Sequence, residues 1–99
     1  MPSKREEILS RLGAHREQIR SYGVRSLGLF GSYARGEDNL ASDIDFVVEF
    51  EQKSFDAYMG LKEFLEDLFR CRVDLVTSDA IKPRLRRTIL EEVVHAPGL

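Results

Sequence analysis

Apolar residues in the first quarter of the chain recur at alternating steps of four and three. They are Ile8, Leu12, His15, Ile19 and Tyr22. This spacing places them on one face of a helix. Ser3 and Glu6 have the spacing of a capping box, which predicts that the helix begins there. Gly23 predicts its end, because glycine readily adopts the left-handed conformation that follows a helix.

Two apolar runs that follow are typical of β-strands, Val24–Phe30 and Ile44–Phe50. Residues 31–36 between them predict a tight turn into a short helical segment that stops at a glycine, and the polar residues 37–42 predict a loop. Alternation along the second strand separates two sets of side chains. One face carries Ile44, Phe46, Val48 and Phe50, and the other carries Asp43, Asp45, Val47 and Glu49.

The next third of the chain predicts a helix and then a short strand. Ser54 is suited to cap a helix that runs to about Phe69. Its apolar side chains are available to a core: Phe55, Tyr58, Met59, Leu65, Leu68 and Phe69. Residues 72–76 then have the composition of a short third strand.

The last segment predicts one more helix, beginning at Ser78 or Asp79 and ending at about His95. Pro83 lies in its first turns, where proline is tolerated. The expected buried stripe consists of Leu85, Ile89 and Val93. The element order is therefore α-β-α-β-α-β-α around a small mixed β-sheet flanked by helices, which is an α/β (α+β) fold. We expect residues 1–99 to form a single domain.

Composition and charge exclude several classes of protein. No apolar run approaches the roughly 20 residues that cross a bilayer, and the amino terminus lacks the apolar segment of a secretory signal. Cys71 is the only cysteine, so an internal disulfide is impossible and a cytoplasmic location is expected. The formal net charge of −2 argues against direct nucleic-acid binding through bulk electrostatics.

Three aspartates carry the candidate chemistry. Asp43 and Asp45 leave the same face of a strand with backbones about 6.6 Å apart. Asp74 reaches the same side if the third strand lies beside the second. Carboxylates that converge in this way repel one another without a cation, and Mg²⁺ is the expected ion when phosphates supply further ligands. Asp-x-Asp alone, however, is more often the solvated face of a surface strand.

A glycine and a serine precede the acidic strand. Gly31 has no side chain, so a phosphate can approach the backbone closely, and Ser32 can add a hydroxyl donor. Taken alone, this stretch is better explained as an ordinary strand-to-helix turn with a serine cap. Its combination with the aspartates, all within 44 residues, favours a phosphate cradle beside metal ligands.

The two motifs together resemble the signature of the DNA polymerase beta nucleotidyltransferase superfamily. The resemblance is to its minimal nucleotidyltransferases of bacteria and archaea. It is carried by Phe30-Gly31-Ser32-Tyr33-Ala34-Arg35-Gly36, followed by Ser42-Asp43-Ile44-Asp45-Phe46-Val47-Val48.

The resemblance implies roles for five residues. Asp43 and Asp45 would bind two Mg²⁺ ions that bridge the triphosphate of ATP. Asp74 would complete the second metal site and help to activate the acceptor hydroxyl. Gly31 and Ser32 would hold the β- and γ-phosphates while the α-phosphorus is attacked. The implied reaction is transfer of a nucleoside monophosphate with loss of pyrophosphate.

The resemblance also implies a partner. Minimal nucleotidyltransferases are paired with HEPN-domain proteins in toxin–antitoxin modules, where AMP transfer to a tyrosine of the HEPN ribonuclease toxin silences it. The chain carries no substrate domain beyond the core, which we interpret as a sign that a partner supplies part of the site or is the substrate. The alternatives are a binding-only antitoxin that blocks its partner sterically, transfer to a small molecule, and nucleotide addition to RNA, which the acidic balance disfavours.

Two groups of cations have a structural interpretation at this stage. Arg35 is expected to pair with a nearby acid such as Glu37 or Asp38 rather than with a phosphate. A basic run comprises Lys82, Arg84, Arg86 and Arg87. It is interpreted as a solvated helix face that pairs with Glu91 and Glu92, although contact with a triphosphate, an RNA or an acidic partner surface is the functional alternative.

Overall fold

The computed structural model describes residues 4–36 and 43–99. The predicted first helix is two helices, α1 (Lys4–Ala14) and α2 (Arg16–Arg20). His15 separates them, because its backbone at φ −111° and ψ 19° is not helical. Ile8, Leu12 and Ile19 are nevertheless all buried, as the periodicity predicted. Gly23 has φ +83°, which confirms its left-handed conformation. The predicted cap at Ser3 lies outside the described residues.

Four strands form one mixed sheet in the order β3-β2-β1-β4. Their bounds are β1 (Val24–Phe30), β2 (Ile44–Phe50), β3 (Val73–Thr77) and β4 (Val94–His95). Strand β2 pairs antiparallel with β1 and parallel with β3. The mixed sheet is as predicted, but β4 is not: the sequence placed these two residues in the last helix. Two residues are too few to show alternation, and their pairing with Gly28 and Leu29 is visible only in the folded chain.

Three further helices complete the fold: α3 (Ser32–Arg35), α4 (Phe55–Phe69) and α5 (Pro83–Glu92). The hydroxyl of Ser54 accepts a hydrogen bond from the Ala57 N–H at 3.0 Å, which confirms the predicted cap of α4. Helix α5 begins later than predicted. A short 3₁₀ turn occupies Ser78–Ala80, and Pro83 is the first residue of α5, where its missing N–H costs nothing. The predicted loop at residues 37–42 lies outside the described residues.

The core lies between one face of the sheet and the helices α1, α2 and α4. Its fully buried members include Phe46, Leu12, Ile19, Leu27, Leu29, Leu61, Leu65 and Val48. Two predictions about it were wrong. Phe55, expected in the core, is 77% exposed in the first turn of α4. Helix α5 contributes no buried residue at all, and Leu85 of its expected buried stripe is 46% exposed.

The opposite side of the sheet, called the outer face below, is covered only in part. Residues paired in register share a side, so Phe30, Asp45 and Asp74 lie in one row across the outer face. Val47 belongs to the same face and is buried, although alternation assigned it to the polar side. It is covered where the chain leaves α5. A Cβ atom built on Gly28 would overlap a methyl group of Val93 and lie 3.6 Å from Val47 Cγ1.

One face of the sheet thus packs in the core, and the other carries the candidate site residues.

Within residues 4–36 and 43–99, no helix has both the length and the apolar character required to cross a membrane.

Candidate active site

Asp45 and Asp74 are direct neighbours on the parallel strands β2 and β3. Their side chains leave the outer face together, close enough for Asp74 to raise the pKa of the Asp45 carboxyl group. Strand β1 ends beside them, since Phe30 is the register partner of Asp45. The predicted convergence of Asp45 and Asp74 is therefore present, and it depends on β3 lying parallel to β2.

The Asp45 carboxyl group is strongly perturbed. Burial first, and then the negative charges of Asp74 and Asp43, raise its pKa from 3.8 to about 6. The Arg35 guanidinium acts in the opposite direction and lowers this pKa. The neighbouring negative charges destabilise the ionised form of this carboxyl group, so a bound cation would stabilise it.

Asp43 stands at the margin of this pair. It is exposed at the position before β2. Besides raising the pKa of Asp45, its charge contributes, after burial, to a raised pKa of the Cys71 thiol. In the described part of the chain, no group of three His, Cys, Asp or Glu side chains is drawn together tightly enough to hold a metal ion. The structure thus brings two of the three predicted carboxylates together and leaves the third nearby.

This donor set fits Mg²⁺. Mg²⁺ is usually held by one or two carboxylates, while waters and substrate phosphates complete its octahedron. Asp45 and Asp74, with Asp43 beside them, offer oxygen donors of that kind. The site matches a metal that binds together with its phosphate substrate rather than in a preformed protein cage.

Gly31 connects the phosphate-binding motif to the carboxylates. Its backbone, at φ +78° and ψ −154°, has a conformation that only glycine adopts without strain. A Cβ atom built on it would overlap the Asp45 carboxylate and lie 3.1 Å from the carboxyl carbon. The backbone of Gly31 therefore packs directly on Asp45.

Ser32 follows as the first residue of α3. Within residues 4–36 and 43–99, its hydroxyl makes no hydrogen bond, and its side chain is half-buried. The hydroxyl is therefore free to donate to a ligand beside Asp45. Gly36 ends α3 in the left-handed conformation at φ +75°, as predicted.

Arg35 was expected to pair with Glu37 or Asp38, which lie outside the described residues. It forms an ion pair with Glu92 at 3.0 Å, and this pair joins α3 to the end of α5. The two residues are 57 positions apart, so no local pattern in the sequence could indicate the pair. Because its charge also lowers the pKa of Asp45, Arg35 belongs to the candidate site. The sequence pattern indicated only a structural role for it.

The basic run has the predicted intrahelical partner at one position only. Arg87 pairs with Glu91 at 3.1 Å, whereas Glu92 pairs with Arg35 rather than with the run.

This small mixed sheet, with two neighbouring aspartates and a glycine backbone packed against one of them, is of the minimal nucleotidyltransferase type. A family profile described as "Nucleotidyltransferase domain" matches residues 12–95. The chain belongs to this family, and it is a transferase enzyme.

Individual relatives agree with this assignment. The chain is 46% identical over 92 residues to the protein adenylyltransferase MntA of Thermococcus cleftensis, and the match covers 91% of this chain and 93% of the relative. A solved structure of a candidate minimal nucleotidyltransferase superposes with a TM-score of 0.72 at 38% identity, and covers 87% of this chain and 93% of the other. A crystal structure of a toxin–antitoxin complex with AMP-PNP superposes with a TM-score of 0.69 at 25% identity, and covers 97% and 74%.

Proposed function

We propose that the chain is the antitoxin of a toxin–antitoxin pair and transfers AMP from ATP to a tyrosine of its HEPN toxin partner in an Mg²⁺-dependent reaction. The observation that carries this proposal is the Asp45–Asp74 pair packed against the backbone of Gly31 on the open face of the sheet. Residues 1–99 act as one domain. The reaction belongs in the cytoplasm, where the free Cys71 stays reduced.

Each of these residues has a role in the reaction. Asp43, Asp45 and Asp74 would hold two Mg²⁺ ions, which neutralise the charge that builds on the phosphate oxygens. Gly31 allows the triphosphate to approach the backbone, and the Ser32 hydroxyl donates to a phosphate oxygen. Positioning and charge neutralisation together supply most of the catalysis in such transfers.

The proposed reaction forms one bond at the α-phosphorus and breaks another. The acceptor oxygen forms a bond to the α-phosphorus, and the bond from that phosphorus to the bridging oxygen breaks. Pyrophosphate leaves with the bond electrons. The proton of the acceptor hydroxyl passes to the Asp74 carboxylate, which is exposed and beside the reacting centre.

The acceptor is proposed from three converging lines. The resemblance of the motifs is to nucleotidyltransferases that are paired with HEPN toxins. The Thermococcus cleftensis relative is named as a protein adenylyltransferase, and a toxin–antitoxin complex shares the fold. Asp74 is also exposed and Asp45 half-buried on the outer face, so a side chain of another protein can reach this pair.

The test is label transfer from ATP labelled on the α-phosphate to the protein encoded beside this chain, which is tested as the HEPN partner. We expect label on a tyrosine of that protein, dependent on Mg²⁺, and abolished by Asp43→Asn, Asp45→Asn or Asp74→Asn. The matched control is Asp79→Asn, since Asp79 is also an aspartate but is exposed and paired with Lys53 beyond the far end of β3. Neutralisation of the toxin by an Asp43→Asn, Asp45→Asn variant, with no label transferred by the parent, would instead establish a binding-only antitoxin.

A further inference from the structure

The apolar side of an amphipathic helix is ordinarily buried, but that side of α5 is largely exposed. Positions i, i+3, i+4, i+7 and i+8 lie on one side of a helix. Counted from the residue before α5, these are Lys82, Leu85, Arg86, Ile89 and Leu90, called the α5 face below. Leu85 is 46% exposed and Leu90 is 50% exposed, while Ile89 is half-buried. Two leucines on one helix face are thus exposed to solvent, and the isoleucine between them is covered only in part.

The α5 face also carries the positive charges of Lys82 and Arg86. Neither Lys82 nor Arg86 forms an ion pair with any residue in the described ranges 4–36 and 43–99. The acids of the helix point elsewhere, since Glu91 pairs with Arg87 and Glu92 with Arg35. The complementary surface is therefore an apolar groove bordered by aspartate and glutamate.

The carboxyl end of α5 lies beside the candidate site. This end is fixed to the outer face of the sheet, where Val93 covers Gly28. Glu92 reaches across to Arg35, whose charge acts on Asp45. A protein bound on the α5 face would consequently lie on the same side of the sheet as the carboxylates.

We propose that the α5 face is the docking surface for the acceptor protein, which meets it with an apolar groove bordered by acidic residues. This rests on the proposed function and adds to it the surface that selects the acceptor. A protein occupant is favoured over RNA, because two leucines and an isoleucine contribute nothing to contacts with a phosphate backbone. The formal net charge of −2 also disfavours RNA.

The test compares two α5 variants with a control in the full chain. The variants are the double substitution Leu85→Asp with Leu90→Asp and the single charge reversal Arg86→Glu. The control is Phe55→Asp, which places the same charge on a side chain that is 77% exposed, in α4 beyond the end of β2 opposite to Asp45. Thermal unfolding of each variant first establishes that it is folded.

The probe is the protein encoded beside this chain, taken as the HEPN partner of the proposed function. Its Kd is measured by calorimetry without ATP, and its KM by transfer of label from ATP. We expect both α5 variants to weaken Kd and raise the KM for this acceptor by about tenfold or more, as central interface residues do. The KM for ATP should not change, and Phe55→Asp should match the parent.

Several outcomes would overturn the docking surface. One is unchanged affinity in both α5 variants, and another is a parent chain that binds no HEPN protein. A third is a parent dimer that the variants dissociate without loss of acceptor affinity, which would make α5 a contact between copies. A fourth is a pair of α5 variants that lose binding to a short single-stranded RNA but keep the parent's affinity for the HEPN protein. Binding without transfer by the parent would refute only the proposed reaction, and the Kd values would then decide the docking surface.

Discussion

The backbone of Gly31 packs directly on the carboxylate of Asp45, and no side chain fits between them. The contact joins two motifs that are 14 positions apart in the chain. It requires two properties at once: the positive φ of Gly31 and the absence of a Cβ atom.

The contact predicts a specific effect of Gly31→Ala. The added methyl group must displace the Asp45 carboxylate, so label transfer should fall at least about a hundredfold, as small displacements of reacting groups do. The control is Gly36→Ala. Gly36 has a similar φ of +75°, but no atom of the described residues lies within 4 Å of its Cβ position. This substitution should cost about 1–2 kcal/mol of folding stability and leave transfer largely intact. Equal loss of transfer in both variants would show that backbone strain, and not the contact with Asp45, is responsible.

Asp45 should destabilise the chain at neutral pH in the absence of metal. Its pKa in the folded chain is about 6, above the ordinary 3.8, so the folded state holds the proton more tightly than the unfolded state does. This contribution to stability is present below about pH 4 and is lost as the pH rises through 6. Asp45→Asn should therefore unfold several degrees higher than the parent at pH 7.5 in EDTA, and at nearly the same temperature at pH 4.

Thermal unfolding followed by circular dichroism measures this difference. Added Mg²⁺ should raise the midpoint of the parent and not that of Asp45→Asn, because only the carboxylate gains from the cation. An Asp45→Asn midpoint below that of the parent at pH 7.5 would contradict the raised pKa.

Metal binding and protons should compete at the same carboxylate. Because Asp45 must be ionised to hold a cation, the rate of label transfer at a fixed low Mg²⁺ concentration should fall as the pH drops below about 6. Raising the Mg²⁺ concentration should restore much of the rate at pH 5.5 and change little at pH 8. Titrations of Mg²⁺ at both pH values measure this, and an apparent affinity that does not vary with pH would argue against Asp45 as a ligand.

Leu65 and Phe55 belong to the same helix but should differ strongly in their effect on stability. Leu65 is fully buried in the core, so Leu65→Ala should lower the free energy of unfolding by about 2–5 kcal/mol. Phe55 is 77% exposed, so Phe55→Ala should change it by no more than about 0.5 kcal/mol. Urea denaturation of both variants checks this. A loss at Phe55→Ala comparable with that at Leu65→Ala would mean that Phe55 is covered in solution.

Local pattern was sufficient for the elements that bury one regular face. The bounds of β1 and β2 agree with the prediction at both ends, and Ser54 caps α4 as expected. These features depend on alternation and capping, which involve residues only a few positions apart. The two motifs that carry the chemistry were equally visible, because each occupies one short stretch of chain.

Periodicity gave wrong predictions where distant parts of the chain decide whether a face of a helix or strand is buried. The pattern Leu85, Ile89, Val93 is amphipathic, and a sequence cannot say whether such a stripe faces the core or solvent. In the structure no residue of α5 is buried, and residues 94–95 after the helix join the edge of the sheet at β1. For the same reason Val47 is buried on a side that alternation assigned to water.

The sequence by itself determined which residues are available for chemistry: Gly31, Ser32 and three aspartates in strand and turn positions. Only the tertiary structure decided which of them meet. The parallel pairing of β3 with β2 places Asp74 beside Asp45, and the end of β1 brings Gly31 onto the same carboxylate. Both contacts depend on strand order and direction, which arise from packing across the whole chain and leave no mark in local spacing.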